Sequence, residues 1–151
     1  MGDRFRLMEE ARRHIEATAG HIVKQSSLYE TEPWGFEAEQ HFLNQVLVME
    51  TDRGPEELMG KLLDIEKELG REPVAPGGGY ASRIIDIDIL FYADRVIDRE
   101  HLKVPHPELQ NRLFTLMPLS EVAPDLLHPV LNKTVTRLLQ ECPDNSTVRK
   151  I

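Results

Sequence analysis

Apolar positions along the chain recur first at helical spacing. Phe5, Met8, Ala11, Ile15 and Ala19 fall three or four residues apart and predict one face of an amphipathic helix. Asp3 stands where an N-cap belongs, and Gly20 where a helix stops. The period then shortens to two. HIVKQSSLYETE (21–32) and HFLNQVLVMET (41–51) predict strands. Between them EPWGFEAEQ is a loop, broken by Pro33 and Gly35. In the second strand Phe42, Asn44, Val46 and Val48 share one face, while Leu43, Leu47 and Met49 share the other.

Helical spacing returns at Gly54-Pro55-Glu56-Glu57. Proline suits the first helical position, and two glutamates suit the positive end of the helix dipole. Leu58, Leu62, Ile65 and Leu69 form the apolar stripe and Gly70 ends it. After the Gly- and Pro-rich stretch REPVAPGGGYAS comes RIIDIDILFY (83–92), a strongly β-branched strand. ADRVID predicts a turn into a short extended piece. Pro105 and Pro107 interrupt the chain, NRLFTLMPLSEVAP predicts a helix that Pro118 bends or ends, and a last short helix fits 133–141. The order is helix, strand, strand, helix, strand, then an irregular helical tail. This is an α+β pattern, the ferredoxin-like split βαβ order with its first strand missing. An antiparallel sheet short of an inner strand exposes backbone groups that need partners. Either the sheet closes differently, or the natural start lies upstream of Met1.

Composition narrows the partners. The chain has 151 residues, the size of one domain, and 40% of them are apolar. The net charge of −8 argues against nucleic acid and anionic membranes as partners. An anionic ligand must therefore be held by local Arg and Lys or by metal ions. Cys142 is the one cysteine, so no intramolecular disulfide forms, which fits a reducing compartment. No apolar run spans a bilayer, and MGDRFRLMEEARRHI is charged and helical rather than a leader. A cytoplasmic protein is the expectation.

The sharpest chemical feature is Asp86-Ile87-Asp88 within an apolar strand. Residues two apart on a strand point the same way, roughly 7 Å apart. Two such carboxylates repel and lose hydration unless a hard divalent cation or a basic side chain compensates. Metal binding and a solvated face paired with Arg or Lys are both open on these residues alone. Arg83, at the mouth of the strand, and Arg71 and Arg112, near breaks in structure, suit bidentate phosphate contacts or surface ion pairs. His106 is held between two prolines; a lone histidine is more often a packing residue than a catalytic one. Gly77-Gly78-Gly79 is no P-loop, since no Gly-Lys-Ser/Thr follows, and reads as a lid hinge or a plain linker. Cys142 lies in the tail and no G-x-S-x-G motif occurs, so no nucleophile is evident. Trp34, Phe42 and Asn44 could frame a flat polar ring, or the aromatics could be core.

Taken together, SRIIDIDILFY, the following LKVPHPELQNRLFTLMPLSEVAPD and the preceding SSLYETEPWG and FLNQVLVMET resemble the 6-hydroxymethyl-7,8-dihydropterin pyrophosphokinase family over nearly the whole chain. The resemblance implies one domain, 1–151, that transfers the β,γ-diphosphate of ATP to the pterin hydroxymethyl group, leaving AMP, in folate biosynthesis. It implies two Mg²⁺ ions on Asp86 and Asp88. Arg83, Arg112 and His106 match positions that contact the triphosphate, and Arg71 a loop arginine that assists it. Ile89, Leu102 and Lys103 fall where adenine is held, and Glu66 corresponds to a nucleotide-side carboxylate. The pterin would lie between Phe42 and Phe114, with Asn44 and Thr31 at its edge and Trp34 at the rim. Family members usually open with a strand ending in Gly-Ser-Asn, which this chain starts just after. Tyr80-Ala81-Ser82-Arg83 replaces the usual Trp-Gly-Pro-Arg, Pro73 a common arginine and Pro107 a common tyrosine. A monomer is expected, or a dimer if the opening strand is supplied in trans. The competing readings are a binding module without catalysis and a truncated paralogue. An enzyme should bind ATP only weakly without Mg²⁺.

Overall fold

In the computed structural model, residues 2–31, 42–70 and 85–151 are described. Their elements, in order, are α1 (Gly2–Thr18), β1 (His21–Gln25), β2 (Tyr29–Thr31), β3 (Phe42–Asn44), β4 (Leu47–Glu50), α2 (Pro55–Gly70), β5 (Ile97–Arg99) and β6 (Leu102–Val104). A 3₁₀ turn (Leu109–Asn111), α3 (Leu113–Val122), α4 (Val135–Gln140) and β7 (Val148–Lys150) follow. The antiparallel ladders and helices make an α+β protein. Among the described residues, no helix is long and apolar enough to cross a membrane. The chain divides into two compact units, Met1–Ile22 with Met49–Ile89 and Val23–Val48 with Leu90–Ile151.

The first unit is built on α1 and α2, which pack together. Leu58, Leu62, Ile65 and Leu69 are buried on α2, so that predicted stripe faces inward. On α1, Ala11 and Ile15 are buried, with Ala19 just past its end, but Met8 is half-buried and Phe5 exposed. The predicted α1 stripe therefore faces inward only in its C-terminal half. Pro55 opens α2 as expected. The helix α1 begins at Gly2, which puts Asp3 inside the first turn and not at the N-cap. Arg53 donates from Nε and an Nη to the Thr18 carbonyl, 3.1 and 2.9 Å, and so satisfies a C-terminal carbonyl of α1. Gly20 follows because the backbone passes close by: a Cβ there would sit 2.5 Å from the Glu50 carbonyl oxygen.

The second unit contains a three-stranded antiparallel sheet of order β3-β2-β7. Tyr29 faces Asn44 on one side and Lys150 on the other; Thr31 faces Phe42 and Val148. Helix α3 packs against β2 and β3. The core is Val46, Leu109, Leu116, Leu119, Val122, Val135 and Leu138, with Leu90, Phe91 and Cys142 packed beside it. His128 is buried in the turn between α3 and α4, and its Nδ1 accepts the Val130 and Leu131 N–H groups. Its ring meets Phe91 edge-on at 5.7 Å, and burial lowers its pKa, so the neutral form is held.

Several expectations are corrected. The 21–32 segment is two strands, β1 and β2, and 41–51 is likewise β3 and β4. The two breaks face each other. The Ser26 N–H donates to the Val46 carbonyl at 2.9 Å, its hydroxyl oxygen accepts the Val46 N–H at 2.9 Å, and Gln45 Nε2 donates to the Ser26 carbonyl at 2.6 Å. A side-chain oxygen has replaced a ladder partner, which ends regular pairing. Residues 85–92 form no ladder among the described residues. The Ile87 N–H instead donates to the Glu66 carboxylate, and the Leu90 carbonyl accepts the His106 N–H. Pro118 does not end α3, which runs on to Val122 with Pro118 buried inside it. The tail is not wholly helical, because β7 adds a strand to β2.

Candidate active site

In the first unit, exposure alternates along the acidic segment. Ile85, Ile87 and Ile89 are half-buried, while Asp86 and Asp88 are exposed. The period-two pattern therefore survives although no ladder forms among the described residues, and both carboxylates lie on the open side. Glu66, on α2, accepts the Ile87 N–H between them, which ties the segment to a helix and fixes its height. Among the described residues no group of three or more metal-binding side chains gathers. A two-carboxylate donor set still fits Mg²⁺, which keeps several waters and uses one or two carboxylates together with substrate phosphates.

The second unit holds the remaining described candidates. His106 follows the cis Val104–Pro105 bond, and its Nδ1 accepts the Glu108 N–H at 3.1 Å. In the neutral ring the proton is then on Nε2, the nitrogen suited to donate to an anionic oxygen. Arg112 is the N-cap residue of α3, and its guanidinium carbon lies 5.7 Å from the Phe114 ring centroid. That is cation–π distance, so one side chain restrains the other. Leu102 is buried in the β5–β6 hairpin, and Lys103 beside it is exposed, with Nζ 3.4 Å from Asp98. On the sheet, Phe42 is 63% exposed. Its cross-strand neighbour Thr31 has a buried hydroxyl with no hydrogen-bond partner among the described residues. Such a group in a native protein calls for an explanation, a bound water or ligand among them. Asn44 follows on the same strand, half-buried. Arg71, Arg83, Trp34, Pro73, Gly77-Gly78-Gly79 and Tyr80 lie outside the described residues.

Two carboxylates that the sequence reading missed brace this sheet and helix. Glu121 on α3 accepts the Tyr29 O–H at 2.8 Å, the Ser27 N–H at 3.0 Å and the Ser27 hydroxyl at 3.1 Å. Burial acts to raise its pKa, but the bonds from Tyr29 and Ser27, with nearby Lys150, hold it below the ordinary value. Burial, then the bond to Glu121 and its charge, push the Tyr29 phenol up to about 12. Asp144, in the tail, accepts the Leu113 N–H at the start of α3 at 2.9 Å. No spacing rule points to either residue, because each acts over more than thirty positions.

The tyrosine has a measurable consequence. Below its ordinary value of 10.0 the phenol is protonated in both folded and unfolded chains, and above it the unfolded chain ionises first. Stability should thus be lost as pH rises from 10.0 towards about 12. Urea midpoints of wild type and Tyr29→Phe across this range check it. The variant should lose part of the slope; identical slopes would rule Tyr29 out as a source.

Residues 1–124 match the family model described as 7,8-dihydro-6-hydroxymethylpterin-pyrophosphokinase (HPPK). A 2-amino-4-hydroxy-6-hydroxymethyldihydropteridine pyrophosphokinase of Porphyromonas gingivalis is 41% identical over 130 residues, 85% of this chain and 88% of the relative. The protein of that name from Aquifex aeolicus is 41% identical over 141 residues, 93% of this chain and 86% of its own length. The folic acid synthesis protein fol1 of Pneumocystis carinii is 35% identical over 145 residues, 96% of this chain but 19% of that protein. The chain belongs to the 7,8-dihydro-6-hydroxymethylpterin-pyrophosphokinase family. It is a pyrophosphokinase.

Proposed function

We propose that this chain transfers the β,γ-diphosphate of ATP to 6-hydroxymethyl-7,8-dihydropterin in folate biosynthesis, with Mg²⁺ as cofactor. The alcohol oxygen attacks the β-phosphorus, the bond from that phosphorus to the α,β-bridging oxygen breaks, and AMP leaves with that oxygen. The alcohol proton is released. Asp86 and Asp88 would hold two Mg²⁺ ions, which supply charge neutralisation to the triphosphate. Arg112 and His106 donate to phosphate oxygens, and Arg83 and Arg71 are assigned beside them. Glu66 steadies the acidic segment through the Ile87 N–H. Ile89, Leu102 and Lys103 take the adenine side. Phe42 and Phe114 stack on the pterin, with Thr31 and Asn44 bonding its edge and Trp34 at its rim. Positioning and electrostatics carry most of the rate, because the chemistry needs no covalent intermediate. The same reading has one ferredoxin-like domain acting as a cytoplasmic monomer. The net charge of −8 supports small-molecule partners over nucleic acid or membranes.

The observation that supports this reading is the Thr31 hydroxyl, buried and without a partner among the described residues, opposite an exposed Phe42. A heteroaromatic ring with polar edges answers both. Phe114→Ala removes a stacking face, worth roughly 1 kcal/mol beyond its buried area. Asn44→Ala leaves ring groups unpaired, at about 1–3 kcal/mol. Calorimetry should show pterin binding weakened in both variants, with ATP binding nearly unchanged in Asn44→Ala. Equal weakening of both ligands by Asn44→Ala would mean the pocket is elsewhere.

A further inference from the structure

We propose that Asp144 is a positioning residue, which sets Arg112 and Phe114 for substrate by capping α3 from the tail. This rests on the reading of those two side chains as substrate contacts.

Helix α3 lacks a cap of its own. Its N-cap residue is Arg112, whose side chain makes no capping bond. An arginine there also does nothing to balance the positive end of the helix dipole. The Thr115 and Leu116 N–H groups both turn back to the Arg112 carbonyl, at 3.1 and 3.0 Å. Of the first-turn N–H groups that remain, those of Leu113 and Phe114, Asp144 Oδ2 accepts the first at 2.9 Å from 31 residues downstream. The carboxylate is itself pinned. Its Oδ1 accepts the Ser146 N–H at 2.9 Å and the Ser146 hydroxyl at 2.5 Å. Ser146 therefore aims one oxygen away and leaves the other facing the helix. Those bonds, with that of Leu113, hold the Asp144 carboxyl below its ordinary pKa against the effect of burial, so it stays charged at neutral pH.

What this cap fixes is local. Arg112 precedes Leu113 and Phe114 follows it, and the guanidinium lies against the Phe114 ring. A swing of the first α3 turn would move both together. Beyond Ser146 the tail becomes β7, pairing Val148 with Thr31, while Arg149 bonds Glu30 across the ladder at 2.6 Å. One segment therefore braces the helix start and the sheet on which Thr31 and Phe42 lie. This segment falls after residue 124, where the match to the family model stops.

The test is a double-mutant cycle read in KM for pterin and for ATP. Asp144→Ala should raise the pterin KM about tenfold, the scale of a lost charged cap. In a Phe114→Ala background the same change should raise it less than about twofold, because its effect passes through that ring. Asp144→Asn keeps an acceptor for Leu113 and should remain within about threefold of wild type. Should Asp144→Ala fail to fold, Ser146→Ala carries the cycle, with a smaller rise of the same kind expected. A merely structural role would lower the active fraction and leave both KM values unchanged, and that overturns the proposal. So does a full tenfold effect that persists without Phe114. An unchanged pterin KM in Phe114→Ala alone would instead overturn the pocket reading itself.

Discussion

Replacing Asp86 or Asp88 with alanine is expected to lower kcat by on the order of 10³-fold or more, with no loss of folded protein. The expected stability follows from exposure. Both side chains are exposed, whereas Ile85, Ile87 and Ile89 carry the packing. The backbone contact that ties this segment to α2 runs from the Ile87 N–H to Glu66 and involves neither aspartate side chain. The expected loss of rate follows from the charge that gathers on the triphosphate as the β-phosphorus is attacked. A carboxylate-held cation meets that charge most strongly in the transition state, so its loss appears in kcat rather than in substrate binding alone. Turnover is measured at saturating Mg²⁺, beside an unfolding curve. A variant that keeps more than about a tenth of wild-type kcat would remove its aspartate from the reaction. The Asp→Asn changes should be nearly as damaging, because an amide oxygen binds a hard cation more weakly than a carboxylate does.

The acidic pair was legible because its signal is short-ranged. Two polar residues alternating with isoleucines need only a period of two, and the exposure pattern keeps that period although no ladder forms among the described residues. Helix α2 was legible for similar reasons: Pro55, two acidic residues and four leucine or isoleucine positions agree on where it starts and which way it faces. The strands were less legible. Ser26 and Ser27 stand where the first strand breaks, and serine competes with the backbone for hydrogen bonds, yet apolar residues on both sides suggested continuity. The partner break at Gln45-Val46 has no signal of its own, being set by Ser26 across the ladder. Strand β7 is three residues long, too short for any periodicity, and its place depends on β2, more than a hundred residues earlier. Thr31 and Phe42 show the same limit. Phe42 stands out in the sequence as an aromatic that either frames a ring or packs in the core, and the family resemblance places Thr31 near it. Only the ladder, however, sets a buried hydroxyl opposite an exposed ring.

Leu116→Ala is expected to destabilise the protein by about 2–5 kcal/mol, a large part of what holds a domain of this size together. Leu116 has no exposed surface, and it belongs to the cluster with Leu109, Leu119, Val135 and Leu138. Those neighbours come from the 3₁₀ turn, from α3 itself and from α4. The side chain is locked among three elements, so the cavity left by truncation cannot close by moving one of them. Leu131, 39% exposed in the turn after His128, is the matching control: its alanine variant should change stability by less than about 0.5 kcal/mol. The measurement is the urea midpoint with its slope, which separates a loss of stability from a change in compactness. Leu116 also lies two residues beyond Phe114, on the helix that presents the ring. Pterin affinity well below the unfolding midpoint should therefore fall less in Leu116→Ala than in Phe114→Ala, since the ring and the Asp144 cap both remain. A loss of under about 1 kcal/mol would mean that the second unit is not held together by this cluster.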